Sequence, residues 1–262
     1  MKLHRIGAVI VRHGYEARHN LDRVTDTLYW PIMDIIVWGF FTLYLAGSNR
    51  LQPGLMSLLL GGVILWGMFR SFQRDMAVGF LAELWSHNLI NLFSTPLTVS
   101  EYVTGLIAVN LIKALLGTLA AALIAWLCYS FNVFPIFPAL IPFMFNLILF
   151  GLAVGLIITG LIFRYTMRIQ GLTWSFTGLL MPLSCVFYPV RSLPPLLRWL
   201  ALTLPTSHAF EGMRQAIAGR GFSITHFVCG AALNAVYLVI ALIFFRLMFA
   251  SAQSHGLLVK IE

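Results

Sequence analysis

Residues 185–214 decide the fold and read CVFYPVRSLPPLLRWLALTLPTSHAFEGMR. The stretch leaves one apolar run, passes Pro189, Pro194 and Pro195, and turns apolar again only as far as Leu204. That second run is too short to cross a bilayer, which takes roughly 20 residues of helix. Proline suits the first turn of a helix, so the prolines predict two short helices. We expect a re-entrant hairpin over residues 191–219, packed against protein because non-helical backbone at membrane depth must be covered.

The composition places the rest of the chain in a membrane. Of its 262 residues, 60% are hydrophobic and only 10% are charged, against about 25% charged in soluble domains. Three long runs contain no Asp, Glu, Lys or Arg: Ala114–Phe163, Ile169–Val190 and Gly221–Phe245. The alternation of a β-barrel is absent, and uninterrupted apolar runs are typical of helical spans. The fold class predicted is an all-α integral membrane protein.

Six transmembrane helices are predicted within a single domain, residues 1–262. They cover residues 28–47, 54–72, 102–128, 139–163, 170–190 and 225–249. Ahead of them, residues 3–24 carry apolar side chains at helical spacing and basic side chains mostly on the other face. This pattern predicts an N-terminal amphipathic helix in the membrane interface, although a solvated tail is an alternative.

The net charge of +8 indicates a role in membrane topology and in contact with anionic lipid rather than in nucleic-acid binding, because the basic residues lie between the apolar runs. With the N-terminus inside, the inner side holds Lys2, Arg5, Arg12, Arg18, Arg23, Arg70, Arg74, Arg164, Arg168, Arg246 and Lys260. The outer side holds Arg50, Arg191, Arg198, Arg214 and Arg220. The excess of inner charges predicts that both termini are cytoplasmic. Four of the outer arginines lie in or just after the stretch quoted above.

The inner connection over residues 76–105 is too long for a tight turn. Its apolar and polar residues separate onto two faces of a helix over residues 81–95, and Pro96 ends that helix. We expect a short amphipathic helix on the cytoplasmic side between spans two and three. Periodicity alone leaves open whether this helix packs on lipid or offers a docking surface to a cytoplasmic partner.

Two charged residues fall inside predicted spans, Asp34 in the first and Lys113 in the third. Charged groups inside a bilayer are costly and are functional candidates by default. Asp34 is expected to lie near the interface, to form an ion pair or to line a pathway, and Lys113 to pair with Asp34 or to line a polar path. The cysteines are too few and too dispersed for a disulfide framework, and no catalytic or metal-binding constellation is predicted.

Taken together, the two unusual segments resemble the membrane subunits of the ABC-2 (type V) family of ATP-binding-cassette exporters. The late motif of that family is matched by Phe187-Tyr188-Pro189, Leu193-Pro194, Pro195, Leu204-Pro205-Thr206, Glu211 and Arg214. Leu204 stands where the family usually has Asn, so the resemblance does not extend to a helix cap or polar contact there. The inner loop is matched by Leu92-Phe93, Pro96, Glu101 and Gly105.

The resemblance implies a function. Such permeases work as two membrane subunits with two ATPase subunits, so a second permease is implied, either a second copy of the chain or a related subunit. The residues implied in ATPase coupling are Glu83, Trp85, Leu89, Leu92, Phe93 and Pro96. The chain has no G-x-x-x-x-G-K-[ST] motif, so ATP and Mg²⁺ are expected on the partner. The implied function is export of a lipid-linked saccharide, glycolipid or drug-like amphiphile across a bacterial cytoplasmic membrane. The alternative is an ATP-independent secondary transporter or channel.

Overall fold

The computed structural model describes residues 2–47 and 54–254, without the side chains at positions 21–24, 90, 93 and 167. Arg50 and Lys260 therefore lie outside the described residues, as does the side chain of Arg23. Within these ranges the chain forms ten α-helices, joined by turns. They are α1 Leu3–His19, α2 Leu21–Gly47, α3 Leu55–Trp85, α4 Leu89–Ser94, α5 Val99–Tyr129, α6 Phe137–Tyr165, α7 Leu172–Leu180, α8 Pro195–Leu202, α9 Pro205–Ile217 and α10 Ile224–Ser254.

Five of the described helices are long and apolar enough to cross a membrane. They comprise Thr25–Gly47 of α2 and the whole of α3, α5, α6 and α10. At 1.5 Å per residue, a helix of 31 residues such as α3 is about 46 Å long. This exceeds a hydrocarbon core of about 30 Å, so α3 reaches beyond the apolar layer at one or both ends.

Helices α3 and α6 form the centre of the bundle. Most of their side chains are buried, whereas α2, α5 and α10 bury only a minority and present apolar side chains outward. The aromatic rings of Phe69 and Phe150 stack between the two central helices. At Gly155 of α6, an added Cβ would lie 3.1 Å from the carbonyl oxygen of Gln73. Small residues at such positions let helices in membranes approach closely, and this contact brings α3 and α6 together.

The predicted fifth span, residues 170–190, is not a continuous helix. Only α7, with nine residues, is α-helical there, and a helix of that length rises about 14 Å, too little to cross a bilayer. Turns follow it up to a 3₁₀ turn at Val190–Ser192. Pro182 and Pro189 lack the N–H group that a continuing helix would require, and Cys185 has a left-handed backbone with φ 55°.

Other boundaries also differ from the sequence-based prediction. The predicted interfacial helix 3–24 ends at His19, because Asn20 is extended, and the chain then enters α2. The second predicted span, 54–72, continues to Trp85 as α3. The predicted helix 81–95 is therefore split between the end of α3 and the short α4, with a left-handed His87 (φ 53°) in the turn between them.

The bundle has two ends that carry different features. At one, called here the α1 end, α1 packs on α5. The C-terminal ends of α3, α6 and α10 also meet at this end, where Trp85 bonds to Gln170 and Arg164 bonds to Ser251. At the other, called the hairpin end, α8 and α9 follow the broken span, and α9 packs against α6 and α10. The predicted re-entrant hairpin over 191–219 corresponds to α8 and α9.

Candidate functional site

Glu211 and Arg214 of α9 bond to the non-helical backbone of the broken span. The Arg214 Nη1 group donates to the carbonyl oxygen of Cys185 at 2.9 Å, and the backbone N–H of Val190 donates to Glu211 Oε1 at 2.8 Å. The two side chains also form an ion pair at 3.2 Å. Burial raises the pKa of Glu211, but the Val190 N–H and the charge of Arg214 outweigh it and lower that pKa overall.

Two hydroxyl groups at the start of α9 extend the same pattern. Ser207 Oγ donates to the carbonyl oxygen of Leu183 at 3.0 Å, and Thr206 Oγ1 donates to Ser184 Oγ at 2.8 Å. Thr206 is fully buried. Because buried backbone groups need partners, these contacts explain how residues 183–190 keep a non-helical backbone inside an apolar protein.

The predicted prolines occupy the positions that set the ends of the short helices. Pro195 and Pro205 lie in the first turns of α8 and α9, where a missing N–H costs little. Pro189 and Pro194 are the residues immediately before the 3₁₀ turn and before α8. The Tyr188 hydroxyl donates to the carbonyl oxygen of Pro182.

Leu204 is the N-cap residue of α9. The family motif usually has Asn at this position, and Asn is a strong N-cap residue because its side chain accepts a hydrogen bond from the first turn. An apolar leucine side chain has no acceptor to offer. The departure from the motif therefore removes a helix cap, and the hydrogen bonds of Thr206 and Ser207 fix the start of α9 instead.

A histidine pair at the hairpin end was not predicted from the sequence. His208 of α9 and His226 of α10 face each other with their Nδ1 atoms 3.3 Å apart, and His208 Nε2 lies 3.1 Å from the carbonyl oxygen of Leu202. A carbonyl oxygen only accepts, so His208 Nε2 carries its proton. With that proton on Nε2, the Nδ1 atom of His208 can accept a hydrogen bond from His226. No spacing signal links the two residues, since they belong to different helices.

At the α1 end, Glu83 joins three helices. Its Oε1 atom lies 2.7 Å from Arg12 Nη2 of α1 and accepts a hydrogen bond from the Tyr102 hydroxyl of α5 at 3.3 Å. The Asn88 side chain donates to the other carboxylate oxygen at 2.7 Å. Only 2% of Glu83 is exposed, and these contacts compensate its buried charge.

Glu101, in the first turn of α5, makes a similar set of contacts. It forms a capping box with Thr98, accepts from the backbone N–H of Lys2 at 2.7 Å and lies 3.4 Å from Arg5 Nη1. Arg5 also donates to the carbonyl oxygen of Pro96. The N-terminal helix is thus tied to α3 by one carboxylate and to the start of α5 by another.

The predicted coupling residues divide into two groups. Trp85 and Pro96 are exposed, whereas Glu83, Leu89 and Leu92 are buried within the chain. The side chain of Phe93 lies outside the described residues. Buried side chains cannot touch a partner directly, so the apolar side of α4 holds the helix against the bundle. Among the described side chains of α4, the exposed ones are polar, namely Asn91 and Ser94.

Asp34 and Lys113 do not pair with each other. Asp34 of α2 forms an ion pair with Arg70 of α3, and Lys113 of α5 lies 3.7 Å from Asp75 of α3. Arg74 contacts Asp75 at 3.1 Å and Asp26 of α2 at 2.9 Å. The three helices are therefore connected by alternating charges, an arrangement that lowers the cost of placing ions near apolar surroundings.

Comparison with known proteins defines the class of this chain. The family model of the ABC-2 type transporter matches residues 18–218, which run from the end of α1 through α9 and include the hairpin, α4 and the charged contacts of α2, α3 and α5. The chain belongs to the ABC-2 type transporter family. It is a helical membrane transport component of a family that typically works with an ATPase subunit and is not itself catalytic. No curated protein matches the sequence closely enough to count as a relative.

Proposed function

We propose that this chain is the membrane-spanning subunit of an ATP-driven exporter, powered by a separate ATPase chain that holds ATP and Mg²⁺. The family match over residues 18–218 carries the proposal. The transported molecule is an amphiphile, namely a lipid-linked saccharide, a glycolipid or a drug-like compound. The membrane is the bacterial cytoplasmic membrane, with the α1 end facing the cytoplasm.

The α1 end is the surface proposed for the ATPase. Trp85 and Pro96 are exposed there on either side of α4, and α4 presents the polar residues Asn91 and Ser94. Beneath this surface, Glu83 and Glu101 connect α1, α3 and α5 through short polar contacts. A force applied at α4 would therefore be transmitted to two long helices at once.

A second permease subunit completes the proposed assembly, with two ATPase copies in total. The exposed apolar side chains of α2, α5 and α10 are available to lipid and to that second subunit. Examples are Phe40 of α2, Leu116 of α5 and Val236 of α10, each more than half exposed. In a bilayer such faces are covered by acyl chains or by another helix. The simplest arrangement is a homodimer.

The test compares two exposed tryptophans at opposite ends of the chain. Trp85 lies at the α1 end and Trp199 on α8 at the hairpin end. The tagged chain is purified after coexpression with the candidate ATPase from the same genome, and ATPase recovery is measured by mass spectrometry. Trp85→Ala should reduce that recovery and Trp199→Ala should not. Recovery of no ATPase by the unaltered chain, or equal recovery by both variants, would contradict the proposed docking.

A further inference from the structure

A cavity of about 720 Å³ opens at the hairpin end. Its walls come from the 3₁₀ turn after the broken span and from α8, α9 and the start of α10. The charged residues that line it are Arg191, Arg198, Arg214, Arg220 and Glu211. The histidines aside, four guanidinium groups share one carboxylate, which leaves the cavity strongly positive.

The carboxylate in this cavity is already engaged. Glu211 is paired with Arg214 at 3.2 Å and accepts from the backbone of Val190. Arg198 donates to the carbonyl oxygen of Arg191 at 2.8 Å, a contact that orients it without neutralising it. Neither Arg191 nor Arg220 has a carboxylate within ion-pair distance among the residues that the structure describes.

The polar floor of the cavity does not offset this charge. His208 and His226 line it, and their mutual contact accounts for one nitrogen of each ring. Ser207 lies beside them with its hydroxyl donating to Leu183. The groups that remain open to a bound molecule are thus mostly guanidinium donors. Such a field attracts anions, and it does so more strongly where walls of low dielectric constant confine it.

We propose that this cavity binds a phosphate group. Guanidinium forks pair with phosphate oxygens in two parallel hydrogen bonds, and a phosphate offers oxygens in several directions to arginines that approach from different elements. A carboxylate offers only two oxygens in one plane and would form hydrogen bonds with fewer of these arginines. The inference deepens the proposed function, on which it rests only for the origin of the ligand: a membrane phospholipid or the transported amphiphile would carry the phosphate.

The binding test uses the purified full-length chain in an uncharged maltoside detergent, which contains no phosphate. Inorganic pyrophosphate is titrated at low salt, and the heat of binding is recorded. We expect saturable binding, weakened roughly a hundred-fold in the Arg191→Gln/Arg220→Gln double variant, because each lost charge-assisted contact is worth about a factor of ten in affinity. Both arginines are exposed, and matching thermal unfolding midpoints would show that the variant is folded.

The matched control removes two positive charges from the other end of the molecule. Arg18 and Arg168 are also exposed, and Arg18→Gln/Arg168→Gln should bind pyrophosphate as the unaltered chain does. Equal weakening in both double variants, or no saturable binding by the unaltered chain, would overturn the proposal. Because no ATPase is present in this assay, its failure would leave the proposed transport function standing.

A competition experiment distinguishes a lipid-borne phosphate from a phosphate without acyl chains. Dihexanoyl phosphatidic acid is added to the complex with radiolabelled pyrophosphate, with dihexanoyl glycerol as the uncharged control. Displacement by the phosphatidic acid at lower concentration than unlabelled pyrophosphate assigns the site to a lipid-borne phosphate. Displacement only by pyrophosphate assigns it to a phosphate without acyl chains. Displacement by dihexanoyl glycerol would show that the cavity recognises acyl chains and would overturn the phosphate assignment.

Discussion

The guanidinium of Arg214 donates to the carbonyl oxygen of Cys185 at 2.9 Å across 29 positions of sequence. This contact joins the second helix of the hairpin to the non-helical backbone of the broken span. It also gives a structural role to two residues of the family motif, since Glu211 holds Arg214 in place and accepts from Val190. The hairpin and the broken span are therefore one structural unit.

Arg214→Gln should destabilise this unit. It leaves the Cys185 carbonyl without its donor and the buried side of Glu211 without its counter-charge, and a loss of about 1–3 kcal/mol in the free energy of unfolding is expected. Thermal unfolding in detergent measures the change. The control is Arg191→Gln, an exposed arginine, which should lie within about 0.5 kcal/mol of the unaltered chain. Equal effects of the two changes would show that the Cys185 contact contributes little.

Glu211 should make the stability of the hairpin depend on pH. Its pKa in the folded chain lies below the ordinary value of 4.5, so its stabilising contribution is complete above pH 4.5 and is lost as the pH falls through the folded pKa. The difference in unfolding midpoint between the unaltered chain and Glu211→Gln should therefore be largest near neutral pH and shrink below pH 4.5. A difference that grows on acidification would mean that the carboxyl group is held in its protonated form.

Gly212 should not tolerate a side chain. An added Cβ would overlap the ring of Phe143 on α6, and that ring is fully buried. Gly212→Ala is expected to lower the free energy of unfolding by about 1–3 kcal/mol through overpacking, and a lower unfolding midpoint would measure this. Gly67→Ala in α3 is the matched control, because no described atom lies within 4 Å of its Cβ. Combining Gly212→Ala with Phe143→Leu should restore part of the loss; no restoration would place the strain elsewhere.

Glu83→Gln should weaken the attachment of the N-terminal helix. The change removes the charge that pairs with Arg12 at 2.7 Å. The free energy of unfolding is expected to fall by about 1–3 kcal/mol, because the carboxylate is buried and the arginine is partly exposed. Hydrogen exchange of α1 should accelerate more than that of α6. The control, Glu16→Gln, removes a less buried partner of the same arginine, its side chain 28% exposed against 3% for that of Glu83, and should lower the free energy of unfolding by only about 0.5 kcal/mol or less. Uniform acceleration through the whole bundle would argue against a local attachment.

Hydropathy located most of the long helices but not their ends. Arg70, Arg74 and Asp75 end an apolar run, and the sequence-based prediction therefore ended the second span at residue 72. The helix nevertheless continues to Trp85, because charged side chains do not interrupt the hydrogen bonds of a helix. Their charges are also compensated, since Asp34, Asp26 and Lys113 form ion pairs with Arg70, Arg74 and Asp75. The partners of those charges come from other helices, which periodicity in one segment cannot reveal.

The sequence-based prediction missed the break in the fifth span for the same reason. Residues 170–190 have the composition of an ordinary span, and their departure from helix depends on donors and acceptors that Ser207, Glu211 and Arg214 supply from α9. The motif indicated that Glu211 and Arg214 matter without indicating what they contact. The prolines, by contrast, act through their own backbone, and the short helices that they begin were predictable from the sequence alone.

The long-range bonds of the broken span also set an order of events during synthesis. Residues 183–190 are added to the chain before the residues at positions 206–214, whose side chains satisfy their backbone. Until α9 packs against them, residues 183–190 are apolar in composition and incomplete in hydrogen bonding. We therefore expect residues 183–190 to reach their final position in the bilayer only together with α9.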